Sequence, residues 1–230
     1  MAIVSEKYKL AYFPIHKAAN TSLKEMMYQI EYDRPFKAAS EKREMKKRVH
    51  SFFAQTAAFS KEELKSLDGY WRFSVVRDPV QRIISCYTNR MDQWSKAFKK
   101  ALENEERRET LLADGIEAYP SAEAFFLNLA AYRKNFVRVR RHTDLSSVFL
   151  GPDLNSFDGI YPIENLDQLK AELSERIGKP VEIPKTNRSR KSVTKFSPEA
   201  LDALFEYAEP EYEFLSEFYS RQETERKLLS

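Results

Sequence analysis

Hydrophobic positions along the chain fall into short solid runs, each followed by a helical stripe. Tyr8, Leu10, Ala11, Tyr12, Phe13 and Ile15 form a nearly continuous apolar run, the pattern of a parallel strand covered on both faces. After a polar turn, Leu23, Met26, Met27 and Ile30 recur at the spacing of one helix face. The pairing repeats further on. Trp71, Phe73, Val75 and Val76 predict a second buried strand ending at Arg77, with Asp78 as the N-cap and Pro79 at the first position of a helix. In that helix Ile83, Ile84, Tyr87 and Met91 give apolar cover, while Asp78, Arg82, Ser85 and Asn89 share a polar stripe.

Weaker patterns fill in the rest. Residues 34–48 are dominated by charge and lead to His50, where a short strand begins or ends. Ser60 with Glu63 reads as a capping box for a helix through Leu67. Residues 92–141 are largely helical, with one helix ending near Gly115 and another capped by Ser121. Asp158 to Ile163 predicts a further strand, followed by a helix that carries Leu166, Leu169 and Leu173 to a stop at Gly178. Ser197 and Pro198 open a helix through Tyr207, Pro210 breaks it, and the aromatic segment after it packs on the core. Strands that alternate with helices predict an α/β fold, one domain over residues 1–230 with a mainly parallel sheet flanked by helices.

Composition narrows this little. The 230 residues carry 38 basic and 35 acidic side chains, a net charge of +3, too balanced to argue for nucleic acid or membrane, so any anion site is local. A single cysteine, Cys86, excludes an internal disulfide framework and agrees with a reducing compartment. The N-terminus lacks a secretory pattern, and no run approaches the roughly 18 apolar residues of a membrane span. The expectation is a cytoplasmic protein without stable membrane insertion.

The chemistry concentrates where strand meets helix. His16, Lys17, Ala18, Ala19, Asn20, Thr21 and Ser22 combine a cation, small side chains, an amide and two hydroxyls. Helix-start N–H groups and the helix dipole favour an anion there, and small residues let it approach the backbone. The loop is not a Walker A sequence, because its lysine precedes the hydroxyls and GxxxxGK[ST] is absent. Two readings stay open: an anion cradle, or a plain helix capped by Asn20 or Thr21 with Lys17 solvated. Likewise Arg77 and Ser85 either face one bound anion or belong to a helix with an Asp78–Arg82 pair. The basic patch from Arg138 to Thr143 lacks the interleaved aromatics of a nucleic-acid surface and is either a solvated basic patch or a face for an anionic acceptor, with His142 as an alternative base.

Taken together, K-x-x-x-T-S-L after the first strand and R-D-P-x-x-R-x-x-S-x-Y about sixty residues later resemble the sulfotransferases that use 3′-phosphoadenosine 5′-phosphosulfate (PAPS). The likeness is closest to the carbohydrate branch. It implies a P-loop-like nucleotide-binding fold in which Lys17, Ala18, Ala19, Asn20, Thr21, Ser22 and Leu23 hold the 5′-phosphosulfate. It implies further that Arg77 and Ser85 hold the 3′-phosphate and that Arg82 and Tyr87 support them. The basic loop 184–195 would then fold over the nucleotide, with Arg188, Arg190 or Lys191 approaching phosphate. Lys17 would be the catalytic cation and His50, the histidine between the two motifs, the base; His16, His142 or a carboxylate are its alternatives. One departure is His16, which stands where the family usually has proline. The scheme requires no metal. The implied reaction transfers the sulfuryl group to a hydroxyl of a small-molecule, saccharide or glycolipid-like acceptor. Two other classes remain open: a nucleotide phosphotransferase using Asp78 for magnesium, and a non-catalytic phosphate-ligand binder of the same fold.

Overall fold

The computed structural model describes residues 1–36, 49–53, 55–184 and 196–229. The chain divides into two compact units, Met1–Arg77 with Ser146–Arg188, and Asp78–Leu145 with Ser189–Ser230.

The first unit is built on a four-stranded sheet of order β1-β2-β3-β4: β1 (Ile3–Ser5), β2 (Leu10–Phe13), β3 (Trp71–Val76) and β4 (Gly159–Pro162). β2, β3 and β4 run parallel, in the register Leu10↔Trp71 to Phe13↔Ser74 and Phe73↔Gly159 to Val76↔Pro162. All four β2 residues are buried, as a central parallel strand requires. Ser74 Oγ donates to the Phe13 carbonyl at 2.7 Å, and Tyr12 stacks on Phe73. The antiparallel edge strand β1 is an addition to the expected elements, since three residues give no measurable period.

Helix α1 (Asn20–Tyr32) follows β2, and α2 (Val49–Phe52) and α3 (Lys61–Ser66) lie between it and β3. His50 thus sits on a single helical turn, correcting the expected short strand. Val49 is buried under Tyr28 and Phe36, and that apolar anchor selects the local form over strand pairing. Ser60 caps α3 by accepting from Glu63 N–H at 3.1 Å, but the Glu63 carboxylate takes the Ala2 N–H, so only half of the capping box forms. After α9, defined below, come β4 and the helix α10 (Leu166–Ile177), which ends at left-handed Gly178 (φ 69).

The second unit is helical. α4 (Pro79–Leu102) starts with Asp78 Oδ1 accepting from Gln81 N–H at 2.8 Å. α5 (Glu105–Ala113), α6 (Ala122–Leu127), α7 (Leu129–Asn135) and α8 (Val137–Thr143) follow, and α9 (Ser146–Leu150) returns to the first unit. Phe98, Phe125, Phe126, Tyr132, Leu204 and Phe205 centre the core of the helical unit. The last two helices are α11 (Pro198–Phe214) and α12 (Arg221–Leu229). Pro210 lies inside α11 and does not end it, correcting the expected break. A proline interior to a helix costs about 3 kcal/mol, and burial of Glu211, Tyr212 and Leu215 just beyond it holds the next turn in place. No helix among the described residues is long and apolar enough to cross a membrane.

Candidate functional site

The loop between β2 and α1 belongs wholly to the sheet unit. Burial of Ile15 and Ala18 pins it at two points, which leaves the residues between them to absorb the turn. Lys17 (φ 67) and Ala19 (φ 53) both adopt the left-handed region without being glycine. Such positions cost about 1–3 kcal/mol each and persist only when the surroundings demand them. Here they swing the chain from the end of a parallel strand into a helix start, the place where open α/β sheets bind ligands.

Ala19 is the N-cap of α1, and no side chain caps it. This corrects the reading in which Asn20 or Thr21 caps the helix: both lie inside the first turn. The first-turn N–H groups have no intrahelical acceptor by helix geometry, so the positive end of α1 is presented toward the loop rather than closed by its own hydroxyls. Asn20 Nδ2 instead donates to Thr56 Oγ1 at 3.2 Å, and Asn20 Oδ1 is buried with no hydrogen-bond partner among the described residues. Thr21 Oγ1 lies 2.9 Å from His50 Nε2. The single turn of α2 therefore places the histidine against the first turn of α1.

The two sequence motifs meet in space. Arg77 Nη1 donates to the Lys17 carbonyl at 3.3 Å, across 60 residues of chain. The parallel β2–β3 register explains it: Phe13 at the end of β2 pairs with Ser74, β3 runs two residues further to Val76, and Arg77 then arrives beside the loop that leaves Phe13. His16, one of the alternative bases, stands edge-on to Phe149 at 5.6 Å. Glu164, a carboxylate just beyond β4, lies exposed in a short 3-10 turn, Ile163–Asn165. Arg188, Arg190 and Lys191 lie outside the described residues.

Ser85 and His142 belong to the helical unit. Ser85 is buried on α4, where its carbonyl accepts from Asn89 Nδ2 at 2.9 Å. His142 Nδ1 is hydrogen-bonded to the Arg138 carbonyl at 2.8 Å, and its ring meets Trp94 edge-on. Arg82 does not pair with Asp78 as the helix spacing allowed. It is fully buried, donates to Glu211 Oε2 at 2.8 Å and to the Asp144 carbonyl at 2.7 Å, and so ties α4 to α11 and to the end of α8. Burial disfavours its charge, but attraction and hydrogen bonding to Glu211 outweigh this and hold the guanidinium above its ordinary value. Asp78 is occupied by the Tyr212 and Thr224 hydroxyls as well as by its cap.

One buried side chain of α1 was not singled out from the sequence. Lys24, one turn into α1, is only 1% exposed, and burial pushes its ammonium down to about 8. A lysine that interrupts an apolar face four residues after Asn20 was the available clue. The cavity of about 140 Å³ lined by Met26, Ile30, Asp33 and Val181 is at the other end of α1 and takes no part in this constellation.

The left-handed loop, the helix start without a side-chain cap, Lys17 and the arginine braced against it suit a phosphate-bearing ligand. The model of the Sulfotransferase family matches residues 1–225, and the chain belongs to that family. No curated protein and no solved structure matches it.

Proposed function

We propose that residues 1–230 act as one sulfotransferase-like domain, a cytoplasmic enzyme that moves the sulfuryl group of PAPS in line to a hydroxyl of a saccharide or glycolipid-like acceptor. The observation that carries the reading is the Arg77–Lys17 hydrogen bond, which joins the two nucleotide motifs at one strand end within a chain of this family. Bound PAPS supplies an activated sulfuryl group, whose bond to the phosphate oxygen breaks as the acceptor oxygen attaches, with PAP as the product. The chain's own work is positioning and electrostatics, as in phosphoryl transfer.

Lys17 holds positive charge where the leaving oxygen develops its negative charge. The N–H groups of residues 20–22, with the Thr21 and Ser22 hydroxyls, hold the 5′-phosphate against the positive end of α1, while the Leu23 N–H closes the first helical bond to the Ala19 carbonyl at 3.0 Å. Ala18 and Ala19 let the phosphate reach the backbone, Arg77 and Ser85 hold the 3′-phosphate, and Arg188 and Arg190 approach it from the basic loop. His50 takes the acceptor proton. The hydrogen bond between His50 Nε2 and Thr21 Oγ1 holds the ring against the first turn of α1 and leaves Nδ1 as the other ring nitrogen.

The test is turnover with PAPS over a panel of saccharides and glycolipids, followed by release of PAP. His50→Ala is expected to lower kcat by about 10²- to 10⁴-fold, the usual contribution of a general base, while PAP affinity stays within about twofold. Undiminished turnover in His50→Ala would move the base to His16, His142 or a carboxylate.

A further inference from the structure

We infer that Tyr32 and Phe52 form an aromatic platform that takes a sugar ring of the acceptor beyond the one carrying the reacting hydroxyl, so that the chain acts on an oligosaccharide. The inference rests on the acceptor reading above, with His50 as the base, and adds to it a binding surface outside both nucleotide motifs.

The placement follows from helix geometry. Thr21, Tyr28 and Tyr32 stand at i, i+7 and i+11 on α1, which puts them on one face. The single turn of α2 meets that face at two points. His50 Nε2 lies 2.9 Å from Thr21 Oγ1, while the Phe52 ring meets Tyr28 at 5.3 Å and Tyr32 at 6.0 Å. The base and the rings therefore share one stripe within the sheet unit. Along α1, Tyr28 and Tyr32 stand about 10 and 16 Å beyond Thr21. A hydroxyl held at His50 leaves the rest of a longer acceptor to run along this stripe onto the rings, whereas the sugar that carries the hydroxyl stops short of them.

Exposure supplies the second observation. Phe52 is the hub of a small aromatic cluster and touches Tyr28, Tyr32, Phe36 and Phe53, yet it is 37% exposed. Tyr32 is 50% exposed and leans on Tyr28 at 4.6 Å. Among the described aromatic residues of the sheet unit, these two alone are exposed, and they touch each other. Single rings on a surface need no explanation, but a contiguous pair in line with the base marks a place for a ligand. The surroundings select its chemistry. Asp33, Arg34 and Ser51, next to the rings in the chain, are exposed polar residues, and Tyr32 itself carries a phenol at its rim. A sugar ring matches this arrangement, with an apolar C–H face for the aromatic rings and hydroxyls for the polar rim. An acyl chain would leave the rim unmatched.

Steady-state sulfation by wild type, Tyr32→Ala and Phe52→Leu tests this. The acceptors are galactose, N-acetylglucosamine, N-acetylgalactosamine and glucuronic acid, tetrasaccharides built from them, and the octyl glycosides of the same monosaccharides. Wild type is expected to favour a tetrasaccharide over its monosaccharide by about 10-fold or more in kcat/KM. Each variant should lose about 3- to 30-fold on the tetrasaccharide through a raised KM, the worth of one aromatic contact, and so narrow that preference. PAP affinity within about twofold of wild type reports that the variants are folded, and Tyr32→Phe, which keeps the ring, should restore most of the preference. A wild type indifferent to acceptor length, a preference unchanged in both variants, or an equal loss on monosaccharide and tetrasaccharide overturns the inference alone. So does a preference for octyl glycosides that the variants remove, which would assign the rings to a lipid chain. Wild type that binds PAP but sulfates no saccharide would overturn the acceptor reading and this inference with it, and wild type that does not bind PAP would overturn the donor reading.

Discussion

Among the described residues two basic side chains are buried, Lys24 in the sheet unit and Arg82 in the helical unit, and they are treated in opposite ways. Arg82 is answered within the fold: a carboxylate at 2.8 Å and the Asp144 and His142 carbonyls accept from its two Nη atoms, and its pKa is raised. Lys24 has its pKa lowered, with burial as the cause. A cation whose charge the fold sustains holds helices together. One whose charge burial disfavours costs the fold stability. The same contrast separates the capped helix α4, started by Asp78, from α1, whose N-cap is a left-handed alanine.

The contrast is broken most forcefully at Glu211. Glu211→Ala leaves the Arg82 guanidinium buried without its carboxylate, and urea denaturation should show a loss of about 3–5 kcal/mol. A loss below about 1 kcal/mol would mean that Arg82 is not held by this pair. Next comes Lys24→Met, which should stabilise the chain by about 1–3 kcal/mol at pH 7, the upper end reduced by partial solvation. The sign follows from linkage. The folded pKa of about 8 lies below the unfolded value near 10.5, so the unfolded chain holds this proton more tightly between those values. The cost of burying Lys24 is fully present below pH 8 and fades toward pH 10.5, and the advantage of Lys24→Met should fade with it. An advantage that does not change with pH would show that the gain comes from packing. The smallest effect is expected from Arg82→Met combined with Glu211→Leu, since replacing both members of a buried pair by apolar groups of similar volume is often close to neutral. A double variant as unstable as Glu211→Ala alone would show that the Arg82 bonds to the Asp144 and His142 carbonyls matter more than the ion pair.

How much of this was legible depended on sequence distance. The units β2–loop–α1 and β3–Asp78–α4 were readable because a solid apolar run, a cap and a helical stripe are all local. Lys17 and Arg77 were readable as motif members, but that Arg77 reaches the Lys17 carbonyl follows from strand register, which no local pattern encodes. The Arg82–Glu211 pair joins residues 129 positions apart, and the polar stripe on α4 misdirected Arg82 toward Asp78 for that reason. At Pro210 a correct local rule lost to tertiary packing of the following turn. His50 was found as a residue type in an interval, while its helical turn and its contact with Thr21 depend on Val49 burying itself under Tyr28. Lys24 was passed over because lysine on a helix is ordinarily solvated.

The central claim is that the strand-end constellation of Lys17 and Arg77 is a site for the PAPS nucleotide. Calorimetric titration of PAP into wild type and Arg77→Ala, at low salt and without magnesium, tests it most directly. Tight wild-type binding that weakens by about 10- to 100-fold in Arg77→Ala is the predicted result, because a buried phosphate contact to arginine is a charge-assisted pair. Absence of wild-type binding under these conditions, with ATP binding only when magnesium is added, would contradict the account and assign the loop to phosphoryl chemistry instead.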